Sequence, residues 1–318
     1  MDLSVIIVNF NTEALLRQCL KSIFDQTDGL RYEVIVVDNA STDHSREMLE
    51  SEFPSVMRVF NSQNIGFAAG NNIGMRQARG EYLLLLNSDT LVLDGAVQKT
   101  LGFMKSNSHA AVAGCKLLNA DRSVQPSTAN FLSPTSLLIE TLFLHKLFGR
   151  SDLFEGYYKS LPCTDKPCEV EVVKGAFMLI RADVMRTLGG FDESYFMYTE
   201  ETDLCYRARM TGHGVYFYPH AHVIHYEGGS VKEPVMHFQQ VHRSQMLFIL
   251  KHFRGLPLVF AVVLKVLQVA IRVPVYAIVG FFTLRPAWLR KSWIYFRVLA
   301  TLLRRPRTRF SGVAESRR

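Results

Sequence analysis

The amino-acid sequence predicts an α/β fold built on a mostly parallel central sheet, with a helical region following it. Three observations carry that prediction. Apolar runs at Ser4–Val8, Glu33–Val37 and Tyr82–Leu86 punctuate the first ninety residues, and each ends in small polar residues, NFN, DNASTD and NSDT. Between them lie stretches of helical periodicity, Glu13–Phe24, Ser45–Ser51 and Ala68–Ala78. Beyond about residue 235 the composition shifts to long apolar segments broken by cations and prolines.

Near-continuous apolar strands alternating with helices imply a parallel sheet covered on both faces. Ligands of such sheets bind at the carboxyl ends of the strands, where all three polar clusters fall. Residues 119–171 hold several prolines and mixed polar runs and are expected to form a long excursion that shapes the site. Order returns with Val172–Ile180, a short helix from Ala182, the run GGFDESYF, and a helix starting near Thr199. Two strands, Val215–Tyr218 and His222–His225, and a helix over Met236–Phe253 complete the pattern. The expected organisation is a sheet-based domain over 1–235 and a helical, basic region over 236–318.

Composition narrows the class. With 48% hydrophobic and 20% charged residues in 318, the chain can bury a real core, which excludes disorder as its main state. The net charge of +7 is concentrated in the tail, where Arg285–Arg318 contains one acid, Glu315. That placement points to an anionic surface such as lipid headgroups and not to nucleic acid. Five scattered cysteines make no disulfide framework. Cys163 and Cys168 could hold a metal or a local bridge, but with no second pair nearby a solvent-facing loop is expected. The start, MDLSVIIVNFN, enters a strand without a basic leader or cleavage site, so a cytosolic catalytic part is expected.

Five clusters carry chemistry. Asp38 closes the second strand in VIVVDNAS. A carboxylate there can accept hydrogen bonds from a uracil or thymine imide or a ribose hydroxyl; it can equally be a turn residue or helix cap. Asn87-Ser88-Asp89 follows YLLLL. Its acid is placed to hold a hard divalent cation with diphosphate oxygens, since magnesium takes only one or two protein carboxylates; an ordinary Asx turn is the alternative. Glu200, Glu201 and Asp203 crowd a helix start in MYTEETDLCYR, where the macrodipole favours acids without any catalysis. The aromatic approach GGFDESYFMY nevertheless marks a partly enclosed site, and a carboxylate within reach of a hydroxyl can take its proton as a bond forms. His225, in HVIHYEGGS, is either a structural histidine or a metal or phosphate contact. NIGFAAGNNIG (64–74) is a glycine-rich turn into a helix that matches neither GxGxxG nor GxxxxGK[ST]. Its glycines let backbone amides approach a ligand, and Asn71 and Asn72 add donors and acceptors.

In order, SVIIVNFN, VIVVDNAS, NIGFAAGNNIG, LLLLNSDT, KGAFMLIRADV, GGFDESYFMYTEETDLCYR and VIHYEGGS resemble the family 2 glycosyltransferases. The likeness is strongest to the rhamnosyltransferase-type branch that builds bacterial surface polysaccharide, and it covers about residues 3–230. It implies a GT-A fold, a nucleotide-diphospho-sugar donor (dTDP- or UDP-linked), a divalent metal (Mg2+ or Mn2+), inversion at the anomeric carbon and a lipid-linked saccharide acceptor. By the same match Asp38 corresponds to the nucleoside-binding aspartate and Asp89 to the last acid of the metal motif. Glu201 corresponds to the base of an acidic pair, and His225 to a histidine near diphosphate and metal. Asn9, Gly66, Asn71, Asn72 and Ser88 fall in the donor pocket. Two departures stand out. The metal motif has lost its first acid to Asn87. The acidic pair reads Glu200-Glu201, so the base is one methylene longer, and Glu200 and Asp203 compete for its role.

Rival readings are weaker. A nucleotide-binding oxidoreductase needs a glycine fingerprint directly after the first strand, and VNFNTEA has none. A non-enzymatic sugar-nucleotide scaffold would not need Asp38, Asp89 and Glu201 together. A processive synthase would carry QxxRW, whereas Gln240-Val241-His242-Arg243-Ser244 lacks the Trp. Single-sugar transfer is expected.

From Gly255 to Leu284 the chain is long and apolar enough to suggest a membrane span. Lys265 and Arg272 interrupt it, each costing roughly 3 kcal/mol near the bilayer centre. Lys265, Gln268 and Arg272 share one helix face, which suits an interfacial helix whose cations meet headgroup phosphates; a helix packed on the catalytic domain or in an oligomer contact, and a hairpin bent at Pro274, are the alternatives. Trp288, Trp293, Tyr295 and RRPRTR add interfacial anchors. The expected location is the cytoplasmic face of the inner membrane, peripheral or monotopic.

Overall fold

The computed structural model describes residues 1–144, 158–159, 165–226 and 234–303. Its first half alternates strand and helix: β1 (Leu3–Asn9), α1 (Glu13–Gln26), β2 (Tyr32–Asp38), α2 (Ser45–Glu52), β3 (Met57–Phe60), α3 (Phe67–Gln77) and β4 (Tyr82–Asn87). Then come β5 (Thr90–Val92), α4 (Ala96–Ser106), β6 (Ala110–Leu118), β7 (Val124–Gln125), β8 (Thr128–Ala129), α5 (Pro134–Thr141), β9 (Tyr158–Lys159) and β10 (Cys168–Glu169). β11 (Val172–Val173), β12 (Phe177–Arg181), α6 (Ala182–Leu188), α7 (Glu200–Met210) and β13 (Gly214–His225) follow. The three apolar runs become β1, β2 and β4, each ending one residue later than the run itself, on Asn9, Asp38 and Asn87.

The main sheet runs β10-β13-β6-β12-β4-β1-β2-β3. β1 pairs in parallel with β2 and β4, in a register that sets Asn9 beside Asp38 and Val8 beside Asn87. The polar ends of three strands therefore share one edge. Alternate side chains feed two cores, as the pleat requires. Ile6, Ile35, Val37, Leu83 and Leu85 face Ala68 of α3, Val184 of α6 and Leu204 of α7. Val5, Ile7, Val36, Leu84 and Leu86 face Leu16 and Leu20 of α1, Leu49 of α2 and Leu101 of α4. Each fully buried Leu or Ile contributes about 2 kcal/mol, and truncating one to Ala costs about 2–5 kcal/mol.

Two expected elements differ. Val172–Ile180 is not one strand: β11 pairs with β8 in a small second sheet, and β12 joins the main sheet antiparallel to β4 and β6. Lys174 still follows the β8 register, its N–H donating to the Ser127 carbonyl, and the chain joins the main sheet only from Phe177. Conversely, Val215–Tyr218 and His222–His225 belong to one strand, β13, whose register against β6 shifts between Tyr218 and His222. Pro219 lies in that shift and has no N–H to give the ladder.

Three helices follow: α8 (Pro234–His252), α9 (Gly255–Thr283) and α10 (Pro286–Leu303). Phe248 and Ile249 of α8 and Ala261 and Leu264 of α9 are buried in the same core as α7. α9 and α10 form an antiparallel hairpin that turns at Leu284 in a left-handed conformation, not at Pro274, through which α9 runs on. Gly280 permits the closest approach, because a Cβ there would meet the Leu289 side chain at 2.8 Å.

The polar stripe of α9 is turned the other way from the sequence expectation. Lys265, Gln268 and Arg272 are buried, and they face protein, not headgroups. Lys265 Nζ donates to Gln245 of α8 and, at 2.8 Å, to Gln268 Oε1, while Arg272 donates to the Glu140 carbonyl at 2.9 Å. A buried charge is tolerated only when paired and hydrogen-bonded, and α5 and α8 supply those partners. The apolar face is left outside, with Leu256 84%, Phe281 72% and Phe282 78% exposed. Among the described residues this is the one helix long and apolar enough to cross a membrane. Cys19, Cys115 and Cys205 are buried free thiols and Cys168 is disulfide-bonded. Cys163 and the RRPRTR tail lie outside the described residues.

Candidate active site

The site grows from the shared strand edge. Asn9 Nδ2 donates to Asp38 Oδ2 at 2.8 Å, and Asp38 also accepts from the Ser41 N–H at 2.9 Å and the Ser41 hydroxyl at 2.6 Å. The carboxylate thus closes its own strand-to-helix turn, and it lies buried at the strand end with Asn9. Thr12 Oγ1 donates to Asn9 Oδ1 at 2.6 Å and lies 2.8 Å from Ser88 Oγ. That chain of side chains carries the edge from β1 to the Asn87-Ser88-Asp89 turn.

Antiparallel pairing of β5 with β13 sets His225 opposite Thr90, beside that turn. His225 Nε2 stands 3.4 Å from Asp89 Oδ1 and 3.3 Å from Asn87 Nδ2. The other ring nitrogen, Nδ1, is 2.8 Å from Gln125 Oε1. An amide oxygen only accepts, so Nδ1 carries a proton and the ring is held with Nε2 on the side of Asp89 and Asn87. A hydrogen bond fixing the outer nitrogen is the usual support of a metal-binding histidine. Among the described residues no three His, Cys, Asp or Glu side chains converge. Asp89 and His225 therefore fit a cation that completes its shell with ligand oxygens and water.

The acids open α7 after two consecutive left-handed residues, Tyr198 and Thr199. Glu200 Oε2 and Glu201 Oε2 are both buried without a hydrogen-bond partner. Burial pushes the Glu200 carboxyl well above its usual range, and the charge of Glu201 adds to the rise. Burial also raises Glu201, opposed by its own backbone N–H and by Lys174. Orphaned buried carboxylate oxygens call for a ligand or a proton. Asp203 differs: its Oδ2 accepts from Arg207 at 2.7 Å, and its Oδ1 lies 2.8 Å from Lys251 and 2.7 Å from His252. Burial alone would raise its carboxyl, but those contacts hold it at about 2.

One segment joins the two halves. The Asn87 N–H donates to the Ala176 carbonyl at 3.1 Å. One residue earlier, a Cβ on Gly175 would lie 3.8 Å from Glu201 Cβ and 3.7 Å from the Phe67 ring. Phe67 begins α3, so the glycine-rich turn, the acidic pair and the Asn-Ser-Asp turn all adjoin Gly175-Ala176. Gly66 is held at φ 89, where a Cβ would strike the Phe196 carbonyl oxygen at 2.3 Å. Asn71 and Asn72 are directed elsewhere: Asn71 donates to the Phe67 carbonyl at 3.0 Å, and Asn72 brackets Phe191 through both its amide atoms at 2.9 Å. Thr12, Ser41, Gln125 and Lys174 are the partners that sequence reasoning missed. Ser41 and Lys174 sat inside noticed blocks, VIVVDNAS and KGAFMLIRADV.

A family model for glycosyl transferase family 2 matches residues 4–160, the stretch that builds the strand edge and the Asn-Ser-Asp turn. The chain belongs to glycosyl transferase family 2. Among its relatives, an N-acetylglucosaminyl-diphospho-decaprenol L-rhamnosyltransferase of Mycobacterium tuberculosis is 26% identical over 270 residues, covering 80% of this chain and 85% of that protein. A low-salt glycan biosynthesis hexosyltransferase of Haloferax volcanii is 30% identical over 212 residues, and the match spans 65% of this chain and 62% of that protein. In fold, this family 2 chain is similar to the mannosyltransferase of Pyrobaculum calidifontis solved with GDP-Man and Mn2+. The TM-score is 0.57 at 14% identity over 95% of this chain and 86% of that one. The fold is GT-A.

Proposed function

We propose that this chain is a metal-dependent, inverting glycosyltransferase that moves one sugar, rhamnose or a similar hexose, from a dTDP- or UDP-linked donor to a lipid-linked saccharide. The observation that carries the reading is the pair of orphaned glutamate oxygens beside the Gly175-Ala176 segment, which also holds the Asn87-Ser88-Asp89 turn. The rhamnosyltransferase relative, by its name, acts on a sugar-diphospho-lipid, and the mannosyltransferase neighbour was solved with a nucleotide-sugar and manganese.

Asp38, with Asn9 holding it, receives the nucleoside at the strand edge. Asp89 Oδ1 and His225 Nε2 would hold Mg2+ or Mn2+ together with donor oxygens. That ion, when bound, supplies charge neutralisation for the departing nucleoside diphosphate. Glu201 takes the proton of the acceptor hydroxyl as its oxygen bonds to the anomeric carbon and the carbon–phosphate-oxygen bond breaks on the opposite face. Its raised pKa suits this role, because a base nearer neutrality holds the proton better once taken. Glu200 stands beside it, its own carboxyl raised by burial and by the charge of Glu201. Asp203 is fully occupied by Arg207, Lys251 and His252 and serves as the anchor of α8.

Residues 1–235 are read as the catalytic domain and 236–318 as a membrane-associated region, of which α8 and α9 pack into the catalytic core. The inward polar stripe and outward apolar face of α9 support hydrocarbon contact along the flank of the protein at the cytoplasmic leaflet, where a lipid-linked acceptor resides. The test is donor turnover in Mn2+ for the full chain and for Asp89→Ala. Loss of turnover in the variant with a retained fold is expected, and equal rates would remove the metal turn from the mechanism.

A further inference from the structure

α8 reaches from the lipid-facing hairpin to the loop that carries the acids, and its contacts with that loop are specific. Ser244 Oγ donates to the Met197 carbonyl at 2.8 Å, and Gln240 Nε2 donates to the same oxygen at 3.3 Å. His237 Nδ1 lies 2.7 Å from the Tyr198 hydroxyl, with the two rings edge-on at 4.8 Å. From the opposite side the Phe67 N–H donates to the Phe196 carbonyl at 2.7 Å. Between these clamps Tyr198 and Thr199 adopt φ 66 and φ 69. Such left-handed conformations are disfavoured for residues with a Cβ and persist only where surroundings hold them. Glu200 follows directly, so the aim of both glutamates depends on that turn being held.

We infer that His237 and Ser244 of α8 are positioning residues for the acceptor base, fixing Met197–Thr199 in its left-handed turn and thereby setting where Glu200 and Glu201 point. Rotation of two successive residues out of that turn would carry the first turn of α7 with it, because Thr199 is its N-terminal cap. Neither residue touches the strand edge, so the donor site is untouched by their loss. The inference rests on the reading of Glu201 as the base. A packing contact alone would predict something different: lost stability, with turnover per folded molecule unchanged.

The full-length protein is tested with Mn2+ and UDP-glucose, UDP-N-acetylglucosamine and dTDP-rhamnose, following release of nucleoside diphosphate for whichever donor is turned over. His237→Phe and Ser244→Ala are expected to lower kcat about tenfold to a hundredfold, the range for a reacting group displaced by about an ångström. Donor KM and calorimetric binding of UDP or dTDP with Mn2+ stay within about twofold. His237→Asn, whose amide can meet the Tyr198 hydroxyl, restores most of the rate. Tyr198→Phe reproduces the loss, and the Tyr198→Phe/His237→Phe double variant is no worse than either alone, the non-additivity of a shared contact. Should His237→Phe fail to fold, Tyr198→Phe, which removes one hydroxyl, decides the matter. A normal kcat in Tyr198→Phe and Ser244→Ala, with Glu201→Gln inactive, overturns the positioning role and spares the base. Full turnover in Glu201→Gln defeats the base assignment itself.

Discussion

His225 turns its Nε2 toward Asp89 Oδ1 at 3.4 Å while Gln125 grips the far nitrogen at 2.8 Å. Gln125 comes from β7, a hundred residues away in sequence, so the ring orientation is built and not a local accident. Replacing Gln125 with Ala should weaken activation by Mn2+ about tenfold to a hundredfold, the usual effect of removing a group that orients a ligating histidine. A titration of rate against Mn2+ concentration measures it. Asp89→Ala should fail to turn over at any concentration, and excess chelator should silence the native enzyme reversibly.

The buried glutamates set a pH dependence. Burial raises the carboxyl of Glu201 above the usual value of 4.5, and burial with the charge of Glu201 raises Glu200 further. A raised acid keeps its proton to higher pH, so the basic form is lost earlier as pH falls. The acid limb of kcat/KM is therefore expected above 4.5, and Glu200→Gln, by removing one of two neighbouring acids, should move it lower. A limb at or below the ordinary glutamate range in the native enzyme contradicts the buried base.

Asp203 makes the opposite prediction for stability. Its carboxyl is held at about 2 against a usual 3.8. A depressed acid stabilises the fold above its unfolded value, and that contribution disappears as pH falls from about 4 toward 2. The shift corresponds to about 2 kcal/mol. Asp203→Asn should lower the unfolding free energy at pH 7, measured by urea titration, by that order, with the gap between variant and native closing below pH 4. A gap independent of pH means Arg207, Lys251 and His252 contribute little.

The hairpin of α9 and α10 gives a physical test of location. Phe281 and Phe282 are exposed at its tip, and Phe281→Glu/Phe282→Glu adds two charges without touching the core. The native chain should sediment with vesicles of anionic phospholipid and the double variant should stay in the supernatant, with thermal midpoints alike. Native protein remaining soluble without detergent or vesicles counts against the bilayer. Truncation after Phe253 is a poor substitute, because Ala261 and Leu264 belong to the same core as α7.

The parallel half of the sheet was legible because β1, β2 and β4 are buried on both faces and so read as unbroken apolar runs. β3, with its half-buried MRVF, carries no such run. The strand-end residues Asn9, Asp38 and Asn87 were legible for the same reason, since each closes a buried strand. Gln125 was not, because a hydrogen-bond partner chosen by tertiary register leaves no local signal, whereas Ser41 and Thr12 bond three residues back, to Asp38 and Asn9, within local turns. The face of α9 was misread for a related cause. Periodicity places Lys265, Gln268 and Arg272 on one side but does not say whether water, lipid or Glu140 lies opposite. Asp203 looked equivalent to its neighbours until Lys251 and His252, nearly fifty residues on, were found at its carboxylate.

The most direct measurement compares Glu201→Gln, Glu200→Gln and Asp203→Asn at pH 7 in one transfer assay, with donor binding determined calorimetrically for each. Glu201→Gln should bind nucleotide-sugar and Mn2+ like the native enzyme yet transfer about a hundred- to ten-thousandfold more slowly, the range for loss of a general base. Glu200→Gln should lose less, and Asp203→Asn should lose stability ahead of rate. Native transfer by Glu201→Gln, with either neighbour inactive in its place, would contradict the assignment of the base.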